Sequence, residues 1–455
     1  MHKLRVSLAW VATACAALYG CHAYRPLFPG TTPSTPAGVV LLVGDGMGDA
    51  EITAARNYLA GSRGQFRWER LPAIARVGTS SVVENAPHLP DYVVDSAASA
   101  TAWSTGSKTS NGRISTEPQT DTILPTLAER CRDAGIPVGV VTTAEVTDAT
   151  PAAMMAHVNL RVCQGPADMK LCPRFQRDRG GLGSIAEQIL AQRFEVVLGG
   201  GRQRFEQPAQ WEGELLSLWE IARRQGFATL ERAEQLHARL DPPVLGLFAV
   251  GDFDRLWEGE PARPYPGSGP QRCSVRGRPA EQPSLETMAR TALAILQREA
   301  ANRQRPFFLL IEGANIDKAA HAADPCGQIG ETEEFDRTVH TVLELAEQQG
   351  NILVIVTADH AHSTQIVPHP LAVGRSPGLL STLVTREGAL MTLQYATAAI
   401  GASQAHTGTD VPIYASGPGS EAIRGRIDQT ELFRIMATAL GLAPAAAQPH
   451  PNRPH

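Results

Sequence analysis

Five continuous apolar runs constrain this chain more than any other feature. They are GVVLLVGDG (38–46), PVGVVTTAE (137–145), EVVLGGG (195–201), PFFLLIEGA (306–314) and NILVIVTADH (351–360), and each ends in glycine or polar residues. A strand with water on one face alternates apolar and polar side chains; a strand without alternation is buried on both faces. Amphipathic patterns of helical period fill the gaps: TILPTLAERCRDAG, SIAEQILAQR, SLETMARTALAILQREA and EEFDRTVHTVLELAEQQG. Buried strands joined through helices predict an α/β fold, a large and mostly parallel central sheet covered by helices on both faces.

Open α/β sheets gather their functional residues beyond the carboxyl ends of the strands. Asp45, Glu312, Asp359 and His360 each lie at or just past the end of an apolar run. Asp45 sits in VGDGMGD (43–49), where flanking glycines keep a carboxylate approachable, although alone the stretch reads as an ordinary Asp-Gly turn. In EGANIDKAAH (312–321), Asp317 and His321 are four residues apart, so on a helix they project from one face and can share a cation. TADHAHS (357–363) places Asp359 and His360 after another core strand, with His362 as a rival ligand, and QAHTGTD (404–410) adds His406. Together these acids and imidazoles exceed what a core holds without cations to neutralise them. Nitrogen and oxygen donors without thiolate suit zinc in mixed His/carboxylate sites, with an all-oxygen position for magnesium.

VDSAASATAWSTG (94–106) surrounds hydroxyls with alanine-sized neighbours. Ser96 falls at a predicted helix N-terminus, where the free N–H groups and the dipole favour an anion. Serine is a poor nucleophile at neutral pH unless a base or a metal activates it. No Ser-His-Asp spacing is evident, so a metal is the better activator. Small neighbours leave room for a tetrahedral phosphate and two cations, which at about 4 Å apart can hold the attacking and leaving oxygens of an in-line displacement. DATPAAMMAHVNLR (148–161) supplies the Thr150 hydroxyl for a hard cation and the Arg161 fork for equatorial oxygens. Outside this context Arg161 reads as a surface charge.

MHKLR followed by VSLAWVATACAAL is a basic start and an apolar stretch too short to span a bilayer, which reads as a secretory signal over 1–21. LYGC resembles a bacterial lipobox and makes Cys21 a lipidation candidate; simple cleavage and release is the other reading. Residues 22–37, rich in Pro, Thr and Gly, read as a linker or arm, 38–442 as the catalytic domain, and 443–455 as a disordered tail. Of the remaining cysteines, Cys131 reads as a buried helix thiol. Cys163, Cys172, Cys273 and Cys326 can form two bridges in an oxidising compartment, Cys163 with Cys172 and Cys273 with Cys326. Zinc thiolates compete with that reading, but there is no C-x-x-C pair. A net charge of -5 without a basic stripe excludes a nucleic-acid surface. Within 202–285, WEGELLSLWEIARRQGF predicts a helix, and GEPARPYPGSGPQRCSVRGRP a surface loop tied down by Cys273.

VGDGMGDAEITAARNY, DSAASATAWSTGSKTSNG, DATPAAMMAH, EGANIDKAAHAADPCGQIGET, TADHAHSTQI and HTGTDVP, in that order, resemble the bacterial periplasmic alkaline phosphatases of enterobacterial type. The resemblance spans about 38 to 442. It implies hydrolysis of small-molecule phosphate monoesters through a covalent phosphoserine at Ser96, with two zinc ions and one magnesium ion per subunit. Asp317, His321 and His406 would bind the first zinc; Asp45, Asp359 and His360 the second; Asp45, Thr150 and Glu312 the magnesium. Arg161 would clamp the phosphate, while Asp148 and Lys318 match positions that support the magnesium shell and contact phosphate through water. The same resemblance implies both disulfides, a homodimer and a periplasmic address, with LYGC as a departure from the soluble enzymes. A sulfatase of this superfamily would need C/S-x-P-x-R, whereas Ser96 is followed by AASAT. Diesterases commonly carry threonine as the nucleophile, and a phosphate-binding lipoprotein without turnover would need neither Ser96 nor the ligand set.

Overall fold

Each of the five apolar runs is a strand of one ten-stranded sheet. The computed structural model describes residues 36–369 and 377–442, which fall in one compact unit. The signal with Cys21, most of the 22–37 segment and the 443–455 tail lie outside the described residues. In chain order the sheet strands are β1 (Gly38–Gly44), β2 (Ala73–Gly78), β3 (Val138–Glu145), β4 (Val196–Gly200), β5 (Ala228–Leu230), β6 (Val244–Leu247), β7 (Phe307–Gly313), β8 (Ile352–Ala358), β9 (Val411–Ser416) and β10 (Gly425–Asp428). Their spatial order is β10-β2-β9-β8-β1-β7-β3-β4-β6-β5. Only β9 breaks the parallel arrangement, running antiparallel to both β8 and β2.

Register positions the chemistry. Gly44 of β1 pairs with Gly313 of β7 and with Ala358 of β8. Three strands therefore end abreast, Asp45 and Asp359 leave the sheet side by side, and Glu312 closes β7 one residue earlier. The side chains of Val39 to Val43, Phe308 to Ile311 and Leu353 to Val356 are fully buried. Each fully buried side chain of this kind contributes roughly 1.5–3 kcal/mol, so the apolar centre is a rigid base for the polar strand ends.

The helices used below are α1 (Asp49–Ala60), α2 (Ser96–Thr105), α3 (Leu127–Asp133), α4 (Ala149–Met155), α5 (Ile185–Gln192), α6 (Leu218–Arg224), α7 (Leu285–Arg303), α8 (Asn315–His321), α9 (Pro325–Gln349) and α10 (Gln429–Ala439). The four predicted amphipathic segments fall within or around α3, α5, α7 and α9, and α7 packs on β3 and β7 while α9 packs on β8. Cys131 is a free, buried thiol of α3, and burial pushes its pKa up. Both disulfides are present, Cys163–Cys172 and Cys273–Cys326. Among the described residues, no helix is long and apolar enough to cross a membrane.

Two expectations need correction. The helix predicted over 211–227 is a hairpin followed by a helix: Pro208–Trp211 pairs with Glu214–Ser217, and only Leu218–Arg224 is helical. Glu212 and Gly213 both have positive φ, as a two-residue hairpin turn requires, and Ser217 opens α6 with a capping box to Glu220. The loop predicted over 259–279 carries strands. Ser274–Val275 pairs with Trp257–Glu258, and Ser268–Gln271 joins a four-stranded sheet with Leu379–Val384, Leu390–Tyr395 and Thr364–Val367.

Candidate active site

Ser96 is the first residue of α2, and every residue of that helix is buried. Small side chains let α2 pack closely on α4 and α10. Asp95 caps the helix by accepting from the Ala98 N–H at 2.9 Å. The Ser96 hydroxyl is 3 % exposed and lies 3.2 Å from His360 Nε2. Ser99, one turn on, donates to the Asp359 carbonyl at 2.7 Å and so ties the helix to the end of β8.

Two groups of ligand-type side chains lie together here, and His360 of one touches this hydroxyl. Asp317, His321, His362 and His406 bring donor atoms within 4.8 Å of one another, and so do Asp45, Asp359 and His360. The groups abut, since the His360 and His406 rings stack at 3.6 Å. Gly46 joins them through its backbone: its N–H donates to Asp359 Oδ1 at 2.9 Å, and at φ +65° an added Cβ would meet Asp317 Oδ1 at 3.1 Å.

In the first group, His321 Nδ1 bonds the Gln404 carbonyl and His406 Nδ1 the Val94 carbonyl. Both Nδ1 atoms thus donate, leaving Nε2 lone pairs that face each other at 3.1 Å. His362 differs. The Ser363 N–H donates to its Nδ1 at 2.8 Å, so the neutral ring carries its proton on Nε2, 3.3 Å from Asp317 Oδ1. His362 therefore turns a proton rather than a lone pair toward Asp317, across a gap that no hydrogen bond closes.

Electrostatics calls for cations. Burial, then Asp359 and Asp317, raises the Asp45 carboxyl well above the usual range. Burial pushes Glu312 up to about 8 against the opposing Thr142 and Thr150 hydroxyls, and pushes Asp359 up to about 6. Burial likewise holds His360 far below its usual value, aided by His406. Burial would raise Asp317 too, but His362 and His406 hold it well below the usual range. Among the described residues, Asp45 Oδ1, Asp317 Oδ1, Asp359 Oδ2 and His362 Nε2 are buried without a hydrogen bond. Orphan carboxylate oxygens beside converging imidazole nitrogens fit bound divalent cations, whose charge would restore the ionised forms.

An anion clamp lies beside them. Arg161 reaches Asp95 Oδ2 at 3.2 Å and Asp148 Oδ1 at 2.8 Å. Lys318 reaches Asp148 Oδ2 at 2.8 Å and Asp252 Oδ2 at 3.2 Å. Burial opposes ionisation of Asp148, but Lys318 and then Arg161 hold its carboxyl far below the usual range. Thr150 lies buried in the first turn of α4, behind the Asp148 cap. Of the candidates read from the sequence, Asp317, His321 and His406 fall in the first ligand group and Asp45, Asp359 and His360 in the second, with Ser96 beside His360; Arg161, Asp148 and Lys318 form the clamp, and Glu312 accepts from the Thr142 hydroxyl at the end of β7. Sequence reasoning missed Asp95, Asp252 and Gln404; only Asp95 left a signal, as the cap-type residue before Ser96.

The profile of the family described as alkaline phosphatase matches residues 37–400 and 392–442. The chain is 50% identical over 419 residues to the streptomycin-6-phosphate phosphatase of Streptomyces griseus, covering 90% of this chain and 92% of that protein. It is 43% identical over 413 residues to the alkaline phosphatase of Escherichia coli, covering 89% and 86%. The alkaline phosphatase structure from Thermus thermophilus shares the fold, with a TM-score of 0.65, 22% identity, and 90% and 93% coverage. With a serine at a helix N-terminus against one of two abutting ligand groups, and these relatives along nearly its whole length, the chain belongs to the alkaline phosphatase family and is a phosphomonoesterase.

Proposed function

We propose that this enzyme hydrolyses phosphate monoesters by transfer through Ser96, with two zinc ions and one magnesium ion bound per subunit. The observation that carries the reading is the Ser96 hydroxyl, 3.2 Å from His360 Nε2, a member of one of two abutting groups of converging ligands. Asp317, His321 and His406 would hold the first zinc, Asp45, Asp359 and His360 the second, and Asp45, Thr150 and Glu312 the magnesium. When bound, such cations lower the pKa of hydroxyl and water and neutralise charge on phosphoryl oxygens.

The chain's own residues do the rest. Asp95 fixes the start of α2, which aims Ser96 Oγ and the free N–H groups of its first turn at the phosphate. Arg161, held between Asp95 and Asp148, presents its fork to two phosphoryl oxygens. Lys318, held between Asp148 and Asp252, adds a second positive charge. Ser96 Oγ bonds to phosphorus as the ester P–O bond breaks, and the departing alcohol ends with the proton. Water then attacks the phosphoserine, restoring the Ser96 hydroxyl and releasing inorganic phosphate.

Two disulfides support an oxidising compartment. The proposed location is the periplasm, after removal of the 1–21 signal, free or anchored through lipid on Cys21, with the enzyme as a homodimer. The relative named for streptomycin-6-phosphate makes that monoester one substrate worth assaying. The test compares matched aryl phosphate mono- and diesters, with elemental analysis of the purified protein. The reading predicts strong monoester preference, loss of turnover by orders of magnitude in Ser96→Ala, and two zinc ions with one magnesium. Equal diester turnover, or a Ser96→Ala enzyme at the wild-type rate, would overturn it.

A further inference from the structure

His406 stands on an exposed loop, yet its ring must meet that of His321 on α8. Something must stop the loop from wandering. Across residues 396–410, Gln404 is the one buried side chain, at 1 % exposure, while its neighbours are exposed or half-buried. Its backbone N–H donates to the His321 carbonyl at 2.9 Å, and its own carbonyl accepts from His321 Nδ1. Gln404 therefore grips His321 at both the main chain and the ring.

The side chain of Gln404 closes the loop on itself. Its Oε1 accepts from the Thr397 N–H at 3.0 Å and lies 3.3 Å from the Thr397 hydroxyl. That hydroxyl accepts from the Ala405 N–H at 2.9 Å and lies 2.9 Å from the Ala405 carbonyl, immediately before His406. Among the described residues, Gln404 Nε2 has no hydrogen-bond partner, so the acceptor end of the amide carries the contact. Ser403 adds its hydroxyl 3.2 Å from His321 Nδ1.

We infer that Gln404 and Thr397 are positioning residues for the first metal group: they lock the 396–406 loop so that the Nε2 atoms of His321 and His406 converge. The inference rests on the reading of these two histidines as ligands of one cation. Bonds that orient a ligand imidazole change metal affinity by about 10–100-fold when broken. Both act through the histidines, since their contacts run to His321 and to the backbone just before His406.

The test is zinc binding to full-length enzyme by competition with a chromophoric chelator, for the wild type and four variants. Gln404→Met keeps the length of the side chain without its acceptor, and Thr397→Val keeps the shape of an exposed residue without its hydroxyl. Each should weaken one of two zinc ions by about 10-fold or more and leave the other unchanged. Thr397→Ser keeps the hydroxyl and should stay within about two-fold of wild type by the same reasoning. Excess zinc should return kcat in the Thr397→Val enzyme, with KM little altered. His406→Ala must itself lose one zinc. If it retains both, the ligand reading fails and the lock falls with it. If it loses one while Gln404→Met and Thr397→Val bind both zinc ions as wild type does, the lock alone is overturned.

Discussion

The Nε2 atoms of His321 and His406 face each other at 3.1 Å, and the Nδ1 atom of each ring is bonded to a backbone carbonyl. Two lone pairs so disposed repel unless a cation or a proton lies between them. Removing metal should therefore loosen the fold around β7, β8 and the 396–406 loop. A ligand present at a hundred times its Kd stabilises by about 2.7 kcal/mol. Calorimetry in strong chelator should show a Tm several degrees lower, regained on adding zinc; an unchanged Tm would contradict bound cations in the folded state.

His362 lies among the ligands without offering a lone pair. With its proton on Nε2 facing Asp317, it should govern how tightly Asp317 is held. His362→Ala should lower zinc affinity by about 10–100-fold, and excess zinc should restore turnover. His406→Ala, which removes a ligand itself, should not recover in the same titration. Rescue of both variants, or of neither, would mean that the two histidines do not differ in role.

Lys318 lies between Asp148 and Asp252, the second of which is more than a third exposed. Asp252→Asn leaves Lys318 with one acidic partner, so more of its field reaches a bound anion. Inorganic phosphate should then inhibit at several-fold lower concentration, an effect absent when Lys318→Ala is already present. Weaker inhibition, or an effect independent of Lys318, would contradict the pairing.

Glu129 lies in the first turn of α3, in a capping box with Thr126, and accepts from His157 at 3.0 Å. Burial raises its carboxyl, but the His157 contacts win and hold it at about 2 instead of its ordinary 4.5. A depressed folded-state pKa adds stability above the unfolded value and loses it as pH falls. The contribution, up to about 3 kcal/mol, is present above pH 4.5 and disappears on acidification toward pH 2. Glu129→Gln should lower the urea midpoint at pH 7 and flatten its fall across this acid range. An equally steep fall in both proteins would refute the assignment.

The sheet was legible because β1, β3, β4, β7 and β8 are buried on both faces, and such strands write their burial directly into composition. Once three of them end abreast, Asp45, Glu312 and Asp359 must cluster, so much of the site was readable as well. The outer parts were not. β2 alternates, β5 and β10 are short, and the 208–217 hairpin hides its turn in Glu212–Gly213, a pair also compatible with a helix boundary. The role of His362 could not be read either, since its tautomer depends on the Ser363 N–H, a contact of three-dimensional geometry. Gln404 looks like a surface loop residue in QAHTGTD and becomes a buried clamp only when His321 arrives from α8.

Transfer of a phosphoryl group onto Ser96 can be caught by quenching the enzyme in acid during turnover and sequencing its peptides by mass spectrometry. A phosphate should appear on Ser96 within VDSAASATAWSTG and be absent from the Ser96→Ala protein, which should also lack turnover. An unmodified peptide, together with a Ser96→Ala enzyme that still hydrolyses monoesters at the wild-type rate, would contradict it.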